Sequence, residues 1–258
     1  MGKVVEVGGN VREVSPGDMV ATAGVAGSYA ERMVASSWQL VKLPQGVDVE
    51  TGAAVIEQGL TAHYLCHSAY PLSSRDTALI HAGAGGVGLL LIQMAKRLGD
   101  TVITTVSTDA KAERAREVGA DHTINYTNQD FEKEVRRFTG GEGLPVVYDS
   151  VGTSTFDKSL ACLAPRGYMV LYGQSSGPVP SVSVPAINSK SLYFTRPSLN
   201  DYAATREELL QRAGQVFGWV KSGELKVSIH DRYPGRDAAE AHRALEGRKT
   251  TGKLLLIP

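Results

Sequence analysis

The sequence has few cysteines, no net charge and no long apolar run, and each absence narrows the possible functions. Only Cys66 and Cys162 occur in 258 residues, outside any disulfide or zinc spacing, which indicates a reducing compartment and a cytoplasmic protein. Lys plus Arg (27) balance Asp plus Glu (27), which argues against nucleic acid and anionic membranes and favours a small-molecule partner. The longest apolar run, around "VGLLLIQMA", is too short to span a bilayer, and no signal-peptide pattern opens the chain.

Strand and helix patterns alternate from about residue 60 to residue 196. The run "TALIHA" predicts a buried strand, "VGLLLIQMAKRLG" a helix that ends at a glycine, and "TVITTV" a second strand. The alternation continues with three more helices and four more strands, "DAKAERAREVG", "HTINY", "NQDFEKEVRRF", "LPVVYDSV", "STFDKSLACL", "GYMVLYG" and "SLYFT". This order predicts an α/β domain with a doubly wound parallel sheet, covered by helices on both faces.

The flanking segments lack this alternation. Residues 1–43 contain short β-rich runs broken by "GG" and "SPGD" turns, a pattern typical of an antiparallel, barrel-like domain. After the sheet come the helical pattern "ATREELLQRAGQVFGWVKSG", the run "LKVSIHDRY", the helix "RDAAEAHRALEGR" and the strand "GKLLLIP". We therefore expect a β-rich domain of residues 1–59 and 197–258, into which a sheet domain of residues 60–196 is inserted.

Glycine is concentrated in "HAGAGGVG", between the first strand and the first helix of the sheet domain. Gly83, Gly85 and Gly88 give the spacing G-x-G-x-x-G in the strand-turn-helix context that this motif requires. We expect Gly83 to permit a tight turn, Gly85 to let the backbone approach a pyrophosphate, and Gly88 to let the helix pack close to the strand. The alternative is a plain glycine-rich turn, but the complete βαβ setting favours a dinucleotide held at the helix N-terminus.

The residues after the second strand indicate which dinucleotide is bound. An NAD site has Asp or Glu at this point to accept from the ribose 2′-hydroxyl, whereas this strand leads into "STDAK". The first acid, Asp109, falls at a helix N-cap or first-turn position, and Lys111 beside small hydroxyl residues suits a 2′-phosphate. This favours NADP, although a solvated helix position explains Lys111 equally well.

Several longer stretches together resemble one known family across the whole chain. These stretches are "QGLTAHYL", "HAGAGGVGLLLIQMAK", "VVYDSVG", "YGQSSG", "LYFTRPSL" and "EGRKTTGKLLLIP". They resemble the zeta-crystallin-like quinone oxidoreductase branch of the medium-chain dehydrogenase/reductase superfamily, and in particular bacterial NADPH:quinone reductases. The resemblance implies a Rossmann domain inserted in a GroES-like catalytic domain, the cofactor NADPH, and a homodimer.

The resemblance also implies a set of cofactor contacts. The family's phosphate loop, A-x-x-G-x-x-G, falls on Ala82, Gly85 and Gly88, with Gly86 and Val87 in the same turn. Contacts to the 2′-phosphate fall on Lys111, on Tyr126 and on Arg248, although a strand-end aromatic and a helix-end cation are ordinary readings of the last two. The remaining implied contacts are Ser150, Val151 and Gly152 along the cofactor, and Thr61, Gly173, Gln174, Ser175 and Ser176 near the nicotinamide.

The chain also departs from the family pattern. Its opening "GKVVEVGG" resembles a strand well inside the family's first domain, so we expect the opening strands, which carry Asn and Tyr side chains of the substrate site, to be absent. The stretch "ATAGVAGSYAERMVAS" directly after "GDMV" contains no cysteine, and the catalytic cysteine ligand of zinc-dependent relatives falls near Glu57, so we expect a reaction that is independent of zinc. His63, Cys66 and His67 share one helix face at metal-ligand spacing, but with no fourth ligand nearby a packing helix is favoured.

These observations together predict an NADPH-dependent, zinc-independent quinone reductase. The protein would hold the nicotinamide against a planar, electron-poor acceptor in the cleft between the two domains, with no assigned proton donor. Two alternatives remain open. One is a reductase of the double bond of an enone or enal, and the other is a non-catalytic, crystallin-like NADPH-binding protein.

Overall fold

The computed structural model describes residues 1–258, which divide into two compact units. The flanking unit comprises Met1–Thr61 and Leu199–Pro258, and the sheet unit comprises Ala62–Ser198. No helix in either unit is long and apolar enough to cross a membrane.

The strands are short in the flanking unit and longer in the sheet unit. In chain order they are β1 (Gly2–Lys3), β2 (Met19–Ala21), β3 (Val41–Lys42), β4 (Thr77–His81), β5 (Thr101–Val106), β6 (His122–Asn125), β7 (Leu144–Asp149), β8 (Leu163–Leu171), β9 (Tyr193–Thr195), β10 (Ile229–Pro234) and β11 (Lys253–Ile257). The helices are α1 (Val49–Tyr64), α2 (Gly86–Leu98), α3 (Asp109–Glu117), α4 (Phe131–Phe138), α5 (Phe156–Cys162), α6 (Val184–Asn188), α7 (Leu199–Tyr202), α8 (Arg206–Lys221) and α9 (Ala238–Glu246).

The flanking unit is less regular than its β-rich sequence suggests. Strands β1, β2 and β3 form a three-stranded antiparallel sheet, the pairing expected for residues 1–43. Strands β10 and β11, for which the sequence predicted no pairing, pair in parallel. Residues 4–18 and 22–36 form turns and loops, where Gly17, Gly24 and Gly27 adopt positive φ. Left-handed backbone at these glycines interrupts the extended chain that a strand needs.

Helix α8 begins at a capping box and fixes the segment before β3. Thr205 and Glu208 each accept, through a side-chain oxygen, from the backbone N–H of the other, which satisfies two donors at the helix start. The Arg206 guanidinium donates to three backbone carbonyls, those of Ser37, Trp38 and Leu40. This side chain therefore holds a 3-10 turn at residues 37–39 against the helix.

The sheet unit contains one parallel six-stranded sheet in the order β6-β5-β4-β7-β8-β9. Both faces of its central strands are buried, as the successive residues Leu79 and Ile80 of β4 show, since they point to opposite faces and neither has exposed surface. This is why these strands read as continuous apolar runs. The strand order reverses between β4 and β7. In open α/β sheets, ligands bind outside the carboxyl ends of the strands at such a reversal.

Strand β8 begins earlier than the sequence suggests. The run "GYMVLYG" placed its start at residue 167, whereas the strand begins at Leu163, directly after α5. Leu163 pairs with Leu144, and the register then shifts before Tyr168 pairs with Val146. Arg166 adopts φ 62° within this irregularity, a local bulge that no hydrophobic periodicity indicates.

Candidate nucleotide-binding site

The loop between β4 and α2 is built by backbone contacts. Ala82 adopts φ 55°, and its carbonyl accepts from the N–H of Gly85 at 2.9 Å. Helix α2 then begins with Gly85 as its N-cap, with no capping side chain and no acidic residue in the first turn. The first N–H groups of the helix are thus left for an anion.

The glycines of this loop are required by close approach rather than by unusual backbone angles. A Cβ on Gly83 would lie 2.0 Å from Thr104 Oγ1, and one on Gly88 would lie 2.5 Å from the Ala82 carbonyl oxygen. The left-handed residue of the turn is Ala82 and not Gly83, so Gly83 suits the tight turn because it has no Cβ to collide with Thr104. Gly88 lets the start of the helix lie directly on the turn, as expected, because a Cβ there would collide with the backbone of Ala82 and Gly83.

The first acidic residue after β5 already has a hydrogen-bond partner. Thr108 is the N-cap of α3, and Asp109 lies in its first turn, the position expected for it. The Asp109 carboxylate accepts from Asn125 Nδ2 at 2.8 Å. Asn125, which the sequence analysis missed, therefore links the end of β6 to the start of α3.

Two of the three residues expected at a 2′-phosphate lie around this link. Lys111 is half-buried in the first turn of α3, where its N–H donates to Thr108 Oγ1. Tyr126 follows β6, donates its backbone N–H to the Val106 carbonyl at 3.0 Å, and is 43% exposed. Arg248 belongs to the flanking unit, where it follows α9 and adopts φ 55°.

The loops after β7 and β8 are joined to each other. The backbone N–H of Ser175 donates to the Ser150 carbonyl at 3.1 Å, and that of Ser176 to the Val151 carbonyl at 2.8 Å. A Cβ on Gly173 would lie 2.6 Å from the Ser150 carbonyl oxygen. The structure thus brings together the two predicted segments, residues 150–152 and 173–176.

A buried polar chain lies beneath these loops, and the sequence analysis did not identify it. His81 contacts Thr105 Oγ1 through Nδ1 at 2.8 Å and Ser159 Oγ through Nε2 at 2.9 Å. Ser159 Oγ lies 3.3 Å from Asp149 Oδ2, and the other oxygen of Asp149 accepts from the N–H groups of Val151 and Gly152. The chain therefore joins the ends of β4, β5 and β7 to α5 and to the loop after β7.

The directions of these hydrogen bonds follow from the carboxylate at one end. The Ser159 hydroxyl donates to the Asp149 carboxylate, so its oxygen accepts from His81 Nε2–H. Complete burial lowers the pKa of His81, against the opposing effect of Asp149, so its ring is neutral. Its Nδ1 consequently accepts from the Thr105 hydroxyl.

The other candidate residues lie outside this arrangement. Thr61 belongs to the flanking unit, and its hydroxyl donates to the Glu57 carbonyl one turn earlier in α1. Cys66 is buried and donates to the Ala62 carbonyl, and burial raises the pKa of its thiol. No group of three or more His, Cys, Asp or Glu side chains that could hold a metal ion occurs in the structure.

Taken together, the end of the sheet offers a cradle for a phosphate group. Gly83 and Gly88 let the loop pack closely on Thr104 and on the Ala82 carbonyl, and the start of α2 has no capping side chain. Binding of a dinucleotide pyrophosphate fits such a surface, because backbone N–H groups and the helix dipole both favour an anion.

Comparisons with known proteins give the context of this site. A family described as zinc-binding dehydrogenase matches residues 86–215. The chain is 45% identical to a quinone oxidoreductase of Pseudomonas aeruginosa, over 100% of this chain and 80% of that protein. It is 41% identical to a 2-haloacrylate reductase of a Burkholderia species, over 99% of this chain and 78% of that protein. The crystal structure of Escherichia coli quinone oxidoreductase complexed with NADPH superposes with a TM-score of 0.97 at 42% identity, covering 100% of this chain and 80% of that chain.

Proposed function

We propose that this chain, which belongs to the quinone oxidoreductase branch of the medium-chain dehydrogenase/reductase superfamily, reduces a small quinone with NADPH. At the coarser level the chain is an NADPH-dependent oxidoreductase, as its relatives and their NADPH complex indicate. The single observation that carries the proposal is the glycine loop at the uncapped start of α2, with Lys111 in the first turn of α3 after the next strand.

The proposed cofactor contacts keep the residues identified from the sequence. Backbone N–H groups of residues 82–88 would hold the pyrophosphate, because the helix start there is uncapped. Lys111 and Tyr126, with Arg248 of the flanking unit, would contact the 2′-phosphate. Residues 150–152 and 173–176 would line the rest of the cofactor, and Thr61 would lie near the nicotinamide.

The chain's own residues position the cofactor and take no part in covalent chemistry. When bound, NADPH supplies a hydride from C4 of its nicotinamide. The buried chain from Thr105 through His81 to Asp149 fixes three strand ends, and Asp149 fixes the loop that starts at Val151. We infer that this rigidity holds the cofactor in one orientation, since catalysis by positioning depends on small displacements.

We propose a reaction that does not use zinc, as the sequence led us to expect. The matching family is described as zinc-binding, but the His, Cys, Asp and Glu residues of this chain form no group that fits such an ion. No step is therefore assigned to a metal.

The experiment that tests the proposed function separates binding from turnover. Purified protein is titrated with NADPH and with NADH while nicotinamide fluorescence is followed, and 1,4-benzoquinone is then added. We expect tighter binding of NADPH, and oxidation of NADPH above the rate without protein. Equal or tighter binding of NADH would refute the cofactor contacts, and binding without oxidation of any acceptor would refute quinone reduction in favour of a non-catalytic NADPH-binding protein.

A second class of acceptor should be tested in the same assay, because one relative is named after a substrate of that class. The chain is 41% identical to the 2-haloacrylate reductase, whose substrate has an activated double bond, as do enones and enals. Turnover of an enone series against a quinone series distinguishes the two acceptors.

We also propose that the chain forms a homodimer through strand β9. This strand is the last of the sheet order, and an edge strand presents unpaired backbone groups. Tyr193 on β9 is 52% exposed and stacks on Tyr168 at a centroid distance of 4.4 Å. Sedimentation of wild type and of Tyr193→Lys tests this, with a shift toward monomer expected in the variant.

A further inference from the structure

The cofactor contacts proposed above do not include Asn125, which lies at the end of β6 beside β5. It pairs with Val106, the last residue of β5, and only 8% of its surface is exposed. Its side-chain Nδ2 donates to Asp109 Oδ1 at 2.8 Å. A buried amide at the end of one strand therefore holds the first acidic residue that follows the neighbouring strand.

The orientation of this amide is fixed by its other hydrogen bonds. The backbone N–H and the hydroxyl of Thr127 both donate to Asn125 Oδ1, at 3.2 and 2.7 Å. A backbone N–H can only donate, so the atom it contacts is the amide oxygen and the group that faces Asp109 is the amide NH2. The backbone N–H of Asn125 donates in turn to Gln129 Oε1 at 2.9 Å. Asn125 is thus held on several sides with a donor directed at the carboxylate.

The Asn125–Asp109 pair is adjacent in the chain to two residues proposed at the 2′-phosphate. Asp109 precedes Lys111 by two positions in the first turn of α3, and Asn125 directly precedes Tyr126. Asp109 is exposed. In NAD sites an acidic residue that follows this strand accepts from the ribose 2′-hydroxyl, whereas a carboxylate repels a phosphate group, which carries nearly two negative charges. The placement of the Asp109 carboxylate therefore bears on which dinucleotide binds.

We infer that Asn125 is a positioning residue that favours NADPH over NADH by holding the Asp109 carboxylate. One oxygen of this carboxylate already accepts from Asn125, so it is not available to a ribose 2′-hydroxyl. The carboxylate also cannot turn toward a 2′-phosphate without breaking that hydrogen bond. The inference rests on the proposed contacts of Lys111 and Tyr126 with the cofactor, and it does not depend on the acceptor that is reduced.

The test measures cofactor binding and not turnover. Protein without cofactor is titrated with NADPH and with NADH, and the ratio of the two dissociation constants is compared among wild type, Asn125→Ala and Asn128→Ala. Asn128 is an exposed asparagine in the same turn whose side chain takes no part in these hydrogen bonds, so it is the matched control. We expect Asn125→Ala to reduce the preference for NADPH about three- to tenfold, as repulsion between an exposed carboxylate and a phosphate implies. Binding of NADH should not change, and Asn128→Ala should keep the wild-type preference.

A double-mutant cycle separates this positioning role from a structural one. Asp109→Asn removes the charge that Asn125 holds, so in that background Asn125→Ala should leave the preference where Asp109→Asn alone sets it. A structural role would instead weaken the binding of both cofactors equally in both backgrounds. Asn125→Asp provides a second variant, because it keeps the acceptor for Thr127 and places another carboxylate beside Asp109. At pH 8 it should reduce the preference for NADPH further than Asn125→Ala does.

Failure of this inference can be distinguished from failure of the proposed cofactor site. A wild type that prefers NADPH, with a preference that neither Asn125 variant reduces, overturns the role of Asn125 and retains the cofactor contacts. A wild type that binds NADH equally well overturns those contacts and the inference with them. A loss of preference in Asn125→Ala that persists in the Asp109→Asn background also overturns the inference, because Asn125 would then act by a route other than the carboxylate.

Discussion

Replacing Asp100 by Asn should stabilise the protein above neutral pH and leave it unchanged at low pH. The Asp100 side chain is 1% exposed, and both of its carboxylate oxygens lack a hydrogen-bond partner. The adjacent cation, Lys96, donates instead to the Asp121 carboxylate at 2.7 Å and to the Asp100 backbone carbonyl at 2.6 Å. The carboxyl group is thus buried without the partners that an ionised form needs.

The magnitude follows from the pKa of this group. Burial, and secondarily the Asp76 carboxylate, raises the pKa of Asp100 from 3.8 to about 7, against an opposing effect of Lys96. A difference of about three units corresponds to about 4 kcal/mol as an upper bound, and we expect about 2 kcal/mol because local relaxation admits water. Between pH 4 and 7 the folded state binds the proton that the unfolded state has released, so the free energy of unfolding falls as pH rises through this window.

The assay is urea denaturation followed by circular dichroism at intervals from pH 4 to pH 8.5. Asp100→Asn should match the wild type near pH 4 and exceed its free energy of unfolding by about 2 kcal/mol at pH 8. Asp130→Asn serves as the matched control, since Asn remains a good N-cap for α4 and the contact with Lys158 lowers the pKa of Asp130. Its effect should have the opposite sign, a small loss at neutral pH that disappears as pH falls below about 4.

Parallel curves for the wild type and Asp100→Asn across pH 4–7 would refute this reasoning. That result would mean that Asp100 ionises at its ordinary pKa in the folded protein, which requires a partner for its carboxylate.

Three further changes test the nucleotide site. Gly83→Ala adds a Cβ 2.0 Å from Thr104 Oγ1, so urea denaturation should show a free energy of unfolding lower by about 1–3 kcal/mol. The control is Gly214→Ala in α8, where the space is open, and its free energy of unfolding should rise by about 0.5–1 kcal/mol. Lys111→Ala should weaken the binding of NADPH about tenfold or more in a fluorescence titration and leave the binding of NADH unchanged, because it removes a charged hydrogen bond of about 1.5–3 kcal/mol. Equal losses of affinity for both cofactors would contradict its role at the 2′-phosphate. Ser159→Ala interrupts the buried polar chain and should lower stability by about 1–3 kcal/mol, and an unchanged urea midpoint would show that the chain contributes nothing.

The sequence determined those features whose cause is local. The βαβ order of the sheet unit follows from apolar runs and helical periodicity, which neighbouring residues specify. The phosphate loop follows from glycine spacing directly after a strand, and Asp109 lies in the first helical turn as its position beside Thr108 predicts. The resemblance to a known family added Tyr126 and Arg248 to Lys111, which the sequence had already placed after the second strand, as expected contacts of the 2′-phosphate.

Tertiary structure decided the features that depend on residues far apart in the chain. His81 meets Thr105 across 24 residues and Ser159 across 78, and no local pattern indicates such partners. Polar residues at the ends of buried strands, such as His81 and Asp149, were the available signal, because the carboxyl ends of parallel strands meet at one edge. The reason that Gly83 must be glycine is likewise Thr104 of the neighbouring strand. The lack of a hydrogen-bond partner for the Asp100 carboxylate also arises only when separate elements pack, since burial and partners are properties of the folded chain.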